Sequence, residues 1–399
     1  MVKPTTIRAH PPRFSRVRRR LRWSRLLLVL PVLAVAMVLA LLGGAWYYSG
    51  QLNDGALAVK HDPDEFDLQV VAVEANEVTL RATGHAEHDG DWSREGLFGI
   101  EWAGGYGQAG DIVRIDGREV VREFTPVTSR PHPGDLARLD SFAFPGDPYR
   151  AHGIPFEDAT YASPFGQFPA WFVEGAGETW AVVVHGKGAD RREALRMLPV
   201  LVDSGLPSLV ITYRNDEGAP AGADGRYGYG ETEWEDLEGA VRFALERGAR
   251  DVLLVGYSMG GAVVMRFLTE SALAGRVSGV VLDAPVLNFE ATVDWGARDR
   301  FAPWPVIPLG KQFAAWRFGV DWDELDYLPR ADRLSVPILL FHGDDDPKVP
   351  VDTSDALARA RPDLVTYLRV RDAGHVRAWN SDPQGYEDSL RSFLLTALH

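Results

Sequence analysis

The spacing of hydrophobic positions along the chain changes twice, and the changes divide it. Over 26–48 apolar residues run almost unbroken, and no charge appears before Asp54. At about 1.5 Å per helical residue this stretch reaches about 35 Å, enough to cross a bilayer core of about 30 Å. Trp46, Tyr47 and Tyr48 close it where an interfacial aromatic belt belongs. The run is longer than the apolar region of a removable leader, and Gly44-Ala45-Trp46 is a poor small-residue cleavage site. The pattern therefore predicts a transmembrane signal anchor over 26–48, with a removed secretory leader as the alternative.

From 51 to 150 the apolar positions come in short strand-like runs. Leu68–Val73 and Glu77–Ala82 flank Glu74-Ala75-Asn76, and 112–115 and 119–124 flank the hairpin signal Asp116-Gly117. A small β-rich module is predicted, with the Pro- and Gly-rich stretch 126–150 as its linker. From about 155 to 399 the spacing changes again. Strands at 160–163, 170–174, 180–184, 209–213, 252–255, 279–282, 338–341 and 365–370 alternate with amphipathic helices near 191–203, 233–247, 259–272, 353–361 and 384–397. Thr232 and Glu235 form a capping-box pattern before the second of these helices. This alternation predicts an α/β fold, a mainly parallel sheet with helices on both faces. The stretch 283–337 is too long for an ordinary connection and reads as a lid or binding insertion over about 289–336, after the sixth strand. It carries Phe289, Trp295, Phe301, Trp304, Phe313, Trp316, Phe318 and Trp322, which either pack the insertion's own core or line a pocket over the sheet. Trp295, Trp304 and Trp316 are the substrate-binding candidates.

Charge adds an orientation. The formal net charge is -14, yet residues 1–25 hold nine basic residues and no acidic one. By the positive-inside rule 1–25 is a basic cytoplasmic tail, able to hold anionic headgroups, and the acidic remainder is extracytoplasmic. A body that acidic repels a phosphate backbone, so nucleic acid is not an expected partner. With no cysteine, thiol nucleophiles, zinc–thiolate sites and iron–sulfur clusters are excluded.

Two motifs are read as decoys. Gly105-Tyr106-Gly107-Gln108-Ala109-Gly110 matches G-x-G-x-x-G, but 111–115 reads as a strand, with no helix N-terminus to receive a pyrophosphate, so it is a glycine-rich turn. His85 and His88 stand three apart in strand-and-turn surroundings, where they would point to opposite faces rather than share a metal.

The chemistry concentrates at strand ends. Gly256-Tyr257-Ser258-Met259-Gly260-Gly261 is G-x-S-x-G between a strand and a helix, where the glycines let flanking backbone pass close to the serine. The next-to-last strand runs into His342-Gly343-Asp344-Asp345-Asp346-Pro347-Lys348-Val349-Pro350, and the last is followed by Asp372-Ala373-Gly374-His375. Open α/β sheets place their sites at these C-terminal edges.

With H-G-x-G after the third strand, G-x-S-x-G after the fifth, H-G-x-x-D-x-x-V-P after the seventh and G-H after the eighth, residues 155–399 resemble the α/β-hydrolase superfamily. The nearest likeness is to its serine-nucleophile branch, that of dienelactone hydrolases, lysophospholipases and prolyl-oligopeptidase catalytic domains. The resemblance implies an α/β-hydrolase fold, with Ser258 as nucleophile, His375 as general base and Asp346 orienting the imidazole. Asp344 and Asp345 are then structural, and Asp283 is the substitute acid. It further implies an oxyanion hole made by the backbone N–H groups of Met259 and Lys187. His185 and His342 each precede glycine at a strand end and read as structural turn histidines; no metal and no cofactor are expected. The implied function is a membrane-anchored extracytoplasmic serine hydrolase acting on a small-molecule or lipid-like acyl substrate. An acyltransferase with the same triad and a catalytically silent binding module remain the alternatives.

Overall fold

A computed structural model describes residues 17–61, 65–84, 90–299 and 302–398. The first sixteen residues of the basic tail, His85, His88 and Phe301 lie outside the described residues. The chain divides into two compact units, residues 1–51 with 302–319 and residues 52–301 with 320–399. Helix α1 (Val17–Leu52) opens the first unit. The apolar stretch Val29–Leu57 is long and apolar enough to cross a membrane.

In the second unit, β1 (Leu68–Val73), β2 (Glu77–Ala82), β3 (Phe98–Trp102), β4 (Gly105–Asp116), β5 (Glu119–Pro126) and β6 (Leu136–Asp140) close into a six-stranded barrel of order β1-β2-β5-β4-β3-β6. Its inward positions, including Leu68, Val70, Val78, Leu80, Ile100, Val120 and Phe124, form one buried cluster, as strand alternation requires. The stretch 126–150 is therefore not only a linker. Its five-residue β6 pairs with β1 at Ala137 and with β3 at Leu139, and without it the barrel would have two open edges. The glycine-rich run 105–110 is a strand rather than a turn. A Cβ on Gly107 would meet the Phe124 ring, so the glycine lets a core aromatic lie against the backbone.

Arg122, on β5, is fully buried and donates to the carbonyls of Gly110, Trp92, Arg94 and Gly96 at 2.7–3.3 Å. Burial lowers its pKa to about 10, against the opposing charges of Glu95 and Asp111, which leaves it cationic at neutral pH. One planar fork thus fixes the loop leading into β3.

After a short helix α2 (Pro148–His152) comes an eight-stranded sheet of order β14-β13-β12-β11-β9-β10-β8-β7. The hairpin β7 (Glu157–Ser163) and β8 (Gly166–Val173) is antiparallel, as is the β8–β10 pair. From β10 (Ser208–Ile211) through β9 (Thr179–Val184), β11 (Asp251–Tyr257), β12 (Val277–Asp283) and β13 (Ile338–Gly343) to β14 (Val365–Val370) every pairing is parallel. The central strands are buried on both faces and read as continuous apolar runs. The helices are α3 (Leu198–Asp203), α4 (Trp234–Glu246), α5 (Met259–Glu270), α6 (Phe289–Asp299), α7 (Val306–Phe318), α8 (Asp352–Ala360), α9 (Ala378–Ser381) and α10 (Pro383–Ala397). Leu198 and Leu201 of α3 and Leu390 of α10 share one core with Val183, Val255, Val281 and Phe341 of the sheet. The capping box does not form. Helix α4 starts at Trp234, and the buried Glu233 carboxylate accepts the backbone N–H groups of Gly228 and Gly230 at 2.6 and 3.0 Å.

Within the first unit, α7 packs on the C-terminal end of α1. Val306, Gly310 and Ala314, one per turn, are buried, and Gly310 lies beside Ala45 and Tyr48. The Arg317 guanidinium donates to the Trp46 carbonyl at 3.0 Å and to Ser49 Oγ at 2.5 Å, and lies 3.7 Å from the Trp46 ring centroid.

Arg122→Ala is expected to lower the barrel's stability by about 3 kcal/mol, because several buried carbonyls lose a charged donor together. Arg122→Lys recovers only part of this, since an ammonium cannot span the fork. Urea unfolding followed by tryptophan fluorescence reads both.

Candidate active site

The turn from β11 to α5 sets the geometry. Ser258 has φ 49° and ψ -114°, a strained conformation for a residue with a side chain, and its N–H donates to the Asp283 carbonyl at 2.9 Å. The neighbours leave no room for Cβ atoms: one on Gly256 would lie 2.7 Å from the Gly260 carbonyl oxygen, and one on Gly260 would strike the Val184 carbonyl. The strand-to-helix reversal thus turns the Ser258 side chain toward the C-terminal edge of the sheet.

Two further strand ends meet it there. Ser258 Oγ is 2.9 Å from His375 Nε2, and His375 Nδ1 is 2.7 Å from Asp346 Oδ2. A hydroxyl, an imidazole and a buried carboxylate stand in line, an arrangement that can move a proton off the oxygen. Asp346 Oδ1 accepts the backbone N–H groups of Lys348 and Val349 at 2.7 and 2.9 Å. Burial alone would raise the Asp346 pKa, but the His375 charge and the hydrogen bonds from His342 and His375 hold it well below the carboxylate range. Burial pushes His375 below the ordinary histidine value of 6.5, with Asp346 opposing and the nearby charges of Lys348 and Arg377 adding to the fall.

His342 is more than a turn residue. It is fully buried, with Nε2 3.1 Å from Asp346 Oδ2 and Nδ1 2.7 Å from Ser354 Oγ. One carboxylate oxygen therefore faces two imidazoles, and only the three-dimensional position of Asp346 reveals this. Asp283, the substitute acid, is buried next to the elbow, and burial pushes it up to about 7 despite the charge of Arg196. The carboxylate on His375 is that of Asp346. Asp344 Oδ1 accepts the Asp372 N–H at 2.7 Å, and Asp345 pairs with Arg94 at 2.9 Å.

The loop after β9 passes against the serine: a Cβ on Gly186 would lie 3.1 Å from Ser258 Cβ. Glu193 accepts the Gly186 N–H at 2.7 Å, and Tyr213 OH donates to the carbonyls of His185 and Gly186, each at 3.1 Å. His185 Nε2 is 2.8 Å from Asp216; burial would lower its pKa, but Asp216 raises it to about 9. Lys187 follows in the same loop, and Met259 is the first residue of α5, where amide donors have no partner within the helix. The Lys187 ammonium donates to the Gly55 carbonyl at 2.7 Å and lies 6.0 Å from the Tyr227 ring centroid. Tyr229 OH and the Tyr227 N–H hold the carbonyls of Ala56 and Leu57 at 3.1 and 2.8 Å.

The three pocket candidates are exposed: Trp295 on α6 by 39%, Trp304 before α7 by 83% and Trp316 on α7 by 73%. Other aromatics of the insertion do build a core. Phe289 is buried, with its ring centroid 4.0 Å from that of Tyr229 and 5.7 Å from that of Trp322.

A contribution from the barrel module is invisible in the sequence. Arg94 donates to the Asp372 carbonyl at 2.6 Å. Arg377 joins Asp91 at 3.0 Å and donates to the His375 carbonyl at 2.9 Å. Asn380 Nδ2 donates to the Leu97 carbonyl at 2.7 Å, and the Leu97 N–H to the Asn380 carbonyl at 2.8 Å. The segment carrying His375 is thus gripped from the barrel on both sides. Asp91→Ala is expected to slow the reaction of Ser258 with a fluorophosphonate by about tenfold or more, because small displacements of a reacting pair are costly. Rapid-quench labelling measures the rate, and an unchanged circular dichroism spectrum establishes that the fold is intact.

Residues 181–389 match the family model described as the alpha/beta hydrolase family, and residues 69–140 match a domain of unknown function. The uncharacterized protein YqkD of Bacillus subtilis (strain 168) is 22% identical over 217 residues, covering 53% of this chain and 70% of YqkD. The Pyrococcus furiosus esterase Pf2001 is similar in structure, with 20% identity and a TM-score of 0.51 over 62% of this chain and 93% of that one. At that identity the likeness is one of fold.

Proposed function

From the premise that the chain belongs to the alpha/beta hydrolase family, we propose that it is a membrane-anchored serine hydrolase that cleaves a carboxylic ester, thioester or amide through an acyl-enzyme. Residues 1–25 form the cytoplasmic tail, 26–48 the anchor, and 155–399 the extracytoplasmic catalytic domain. The observation that carries the reading is the relay Ser258–His375–Asp346, at 2.9 and 2.7 Å, behind a serine in a strained turn.

His375 accepts the Ser258 hydroxyl proton as Oγ bonds to the substrate carbonyl carbon. The imidazolium so formed is stabilised by Asp346, whose depressed pKa keeps it an anion. The N–H groups of Met259 and Lys187 receive the developing oxyanion. His375 then gives its proton to the leaving group as the bond to the acyl carbon breaks. Water repeats the sequence, passing its proton to His375 and its oxygen to the acyl carbon; the acid leaves and Ser258 recovers its proton. The substrate is a small-molecule or lipid-like acyl compound, and the anchor brings the esters of a bilayer within reach.

The full chain in detergent is expected to be labelled by a fluorophosphonate on Ser258, located by mass spectrometry, with Ser258→Ala unlabelled and its turnover of an activated ester lower by a factor on the order of a million. Labelling elsewhere, or none in folded protein, would sink the proposal. The base must be neutral to act, so activity is lost as pH falls through the His375 pKa and is retained above it. Because that pKa is depressed, the acid limb of kcat/KM should have its midpoint below 6.5. Arg377→Ala removes a nearby cation and should move the midpoint upward.

A further inference from the structure

We propose that α7 is a membrane-interface helix, whose outer face lies in the boundary between headgroups and acyl chains of the bilayer that α1 crosses. The proposal rests on the reading of α1 as a membrane span.

Within the unit of residues 1–51 and 302–319, α7 has two faces. Val306, Gly310 and Ala314 are turned inward and buried. The opposite side carries Leu309 and Trp316, with Trp304 just before the helix, all exposed. A soluble surface rarely shows two such tryptophans beside a leucine. The position of the face along α1 identifies its partner. Trp46 of α1 is edge-on to Phe313, with ring centroids 5.9 Å apart, and lies 6.4 Å from Trp316. α7 is therefore fastened at the aromatic end of the apolar stretch, the level at which tryptophan and tyrosine collect in membrane proteins. Trp46 and Tyr47 are exposed as well, so the aromatic end of α1 and the outer face of α7 both present apolar surface. Arg317 at this contact is satisfied internally, bonded to Trp46 and Ser49. Thirteen residues reach about 20 Å, too short to cross a core of about 30 Å, so α7 lies in the interface rather than spanning it.

The chain has no cysteine, which makes single-cysteine labelling clean. Leu309→Cys and Trp316→Cys, each in the full chain, are labelled with an environment-sensitive fluorophore and reconstituted into phosphatidylcholine–phosphatidylglycerol vesicles. The lipids carry spin-label quenchers on the headgroup or at the acyl-chain end. Met37→Cys, in the middle of the apolar stretch, and Val113→Cys, on the barrel, are the references; all four positions are exposed. The expected result is a blue shift at 309 and 316 with stronger quenching from the headgroup label, stronger quenching from the chain-end label at 37, and neither effect at 113. Quenching at 37 with 309 and 316 behaving like 113 would overturn the proposal and leave the span intact. No quenching at 37 would remove the span and the proposal with it. Disulfide-linked dimers of Trp316→Cys in place of quenching would make the face a contact between copies of this chain, and also overturn it.

Discussion

Asp346 is the constraint around which the catalytic half is arranged. An ionised carboxylate out of water is costly unless its oxygens are bonded. Here one oxygen takes two backbone N–H groups, from Lys348 and Val349, and the other faces His375 and His342. The two N–H bonds bend the chain after β13 into a tight turn that holds the carboxylate independently of the histidines. His342 comes from the end of the same strand, so its contact is local. His375 must be brought from beyond β14, and its position depends on the rest of the unit.

The barrel supplies much of that dependence. Arg122 gathers the carbonyls of Trp92, Arg94 and Gly96, and the loop so fixed presents Asp91 and Arg94 to the His375 segment. Arg377 connects the two, bonding Asp91 with two nitrogens and the His375 carbonyl with the third. A buried arginine in the barrel and an imidazole at the sheet edge are thus joined through the loop backbone and three side chains, Asp91, Arg94 and Arg377. The barrel reads as part of the catalytic scaffold rather than as a spacer.

The three residues stand out in the sequence because each follows a strand inside a recognisable pattern: G-x-S-x-G around Ser258, H-G-x-x-D ending at Asp346 and G-H ending at His375. Helices and strands of the α/β part were legible for the same reason of spacing. What was hidden was short or long-range. β6 has five residues between proline- and glycine-rich flanks, and β3 carries Gly99 within it, so neither has the length to stand out. The capping box at Thr232 does not form because the helix starts two residues later, at Trp234, and the Glu235 carboxylate pairs with Arg214. Asp91 with Arg377, and Lys187 with Gly55, pair residues far apart in the chain, and nothing local marks them. For the three tryptophans aromatic density gives no direction: all are exposed, and α7 buries its small residues instead.

The contacts of Lys187 link the two ends of the site. The turn Asn53–Leu57, at the start of the second unit, offers three carbonyls within that unit, of which Gly55 receives the Lys187 ammonium. On its other side the same loop is held by Glu193, Tyr213 and the His185–Asp216 pair. The amide proposed to receive the oxyanion therefore lies in a loop tied to the sheet edge and to the first residues beyond the apolar helix. A backbone donor is useful to a transition state only if it need not move to meet the charge. Holding this loop from both directions restricts that motion.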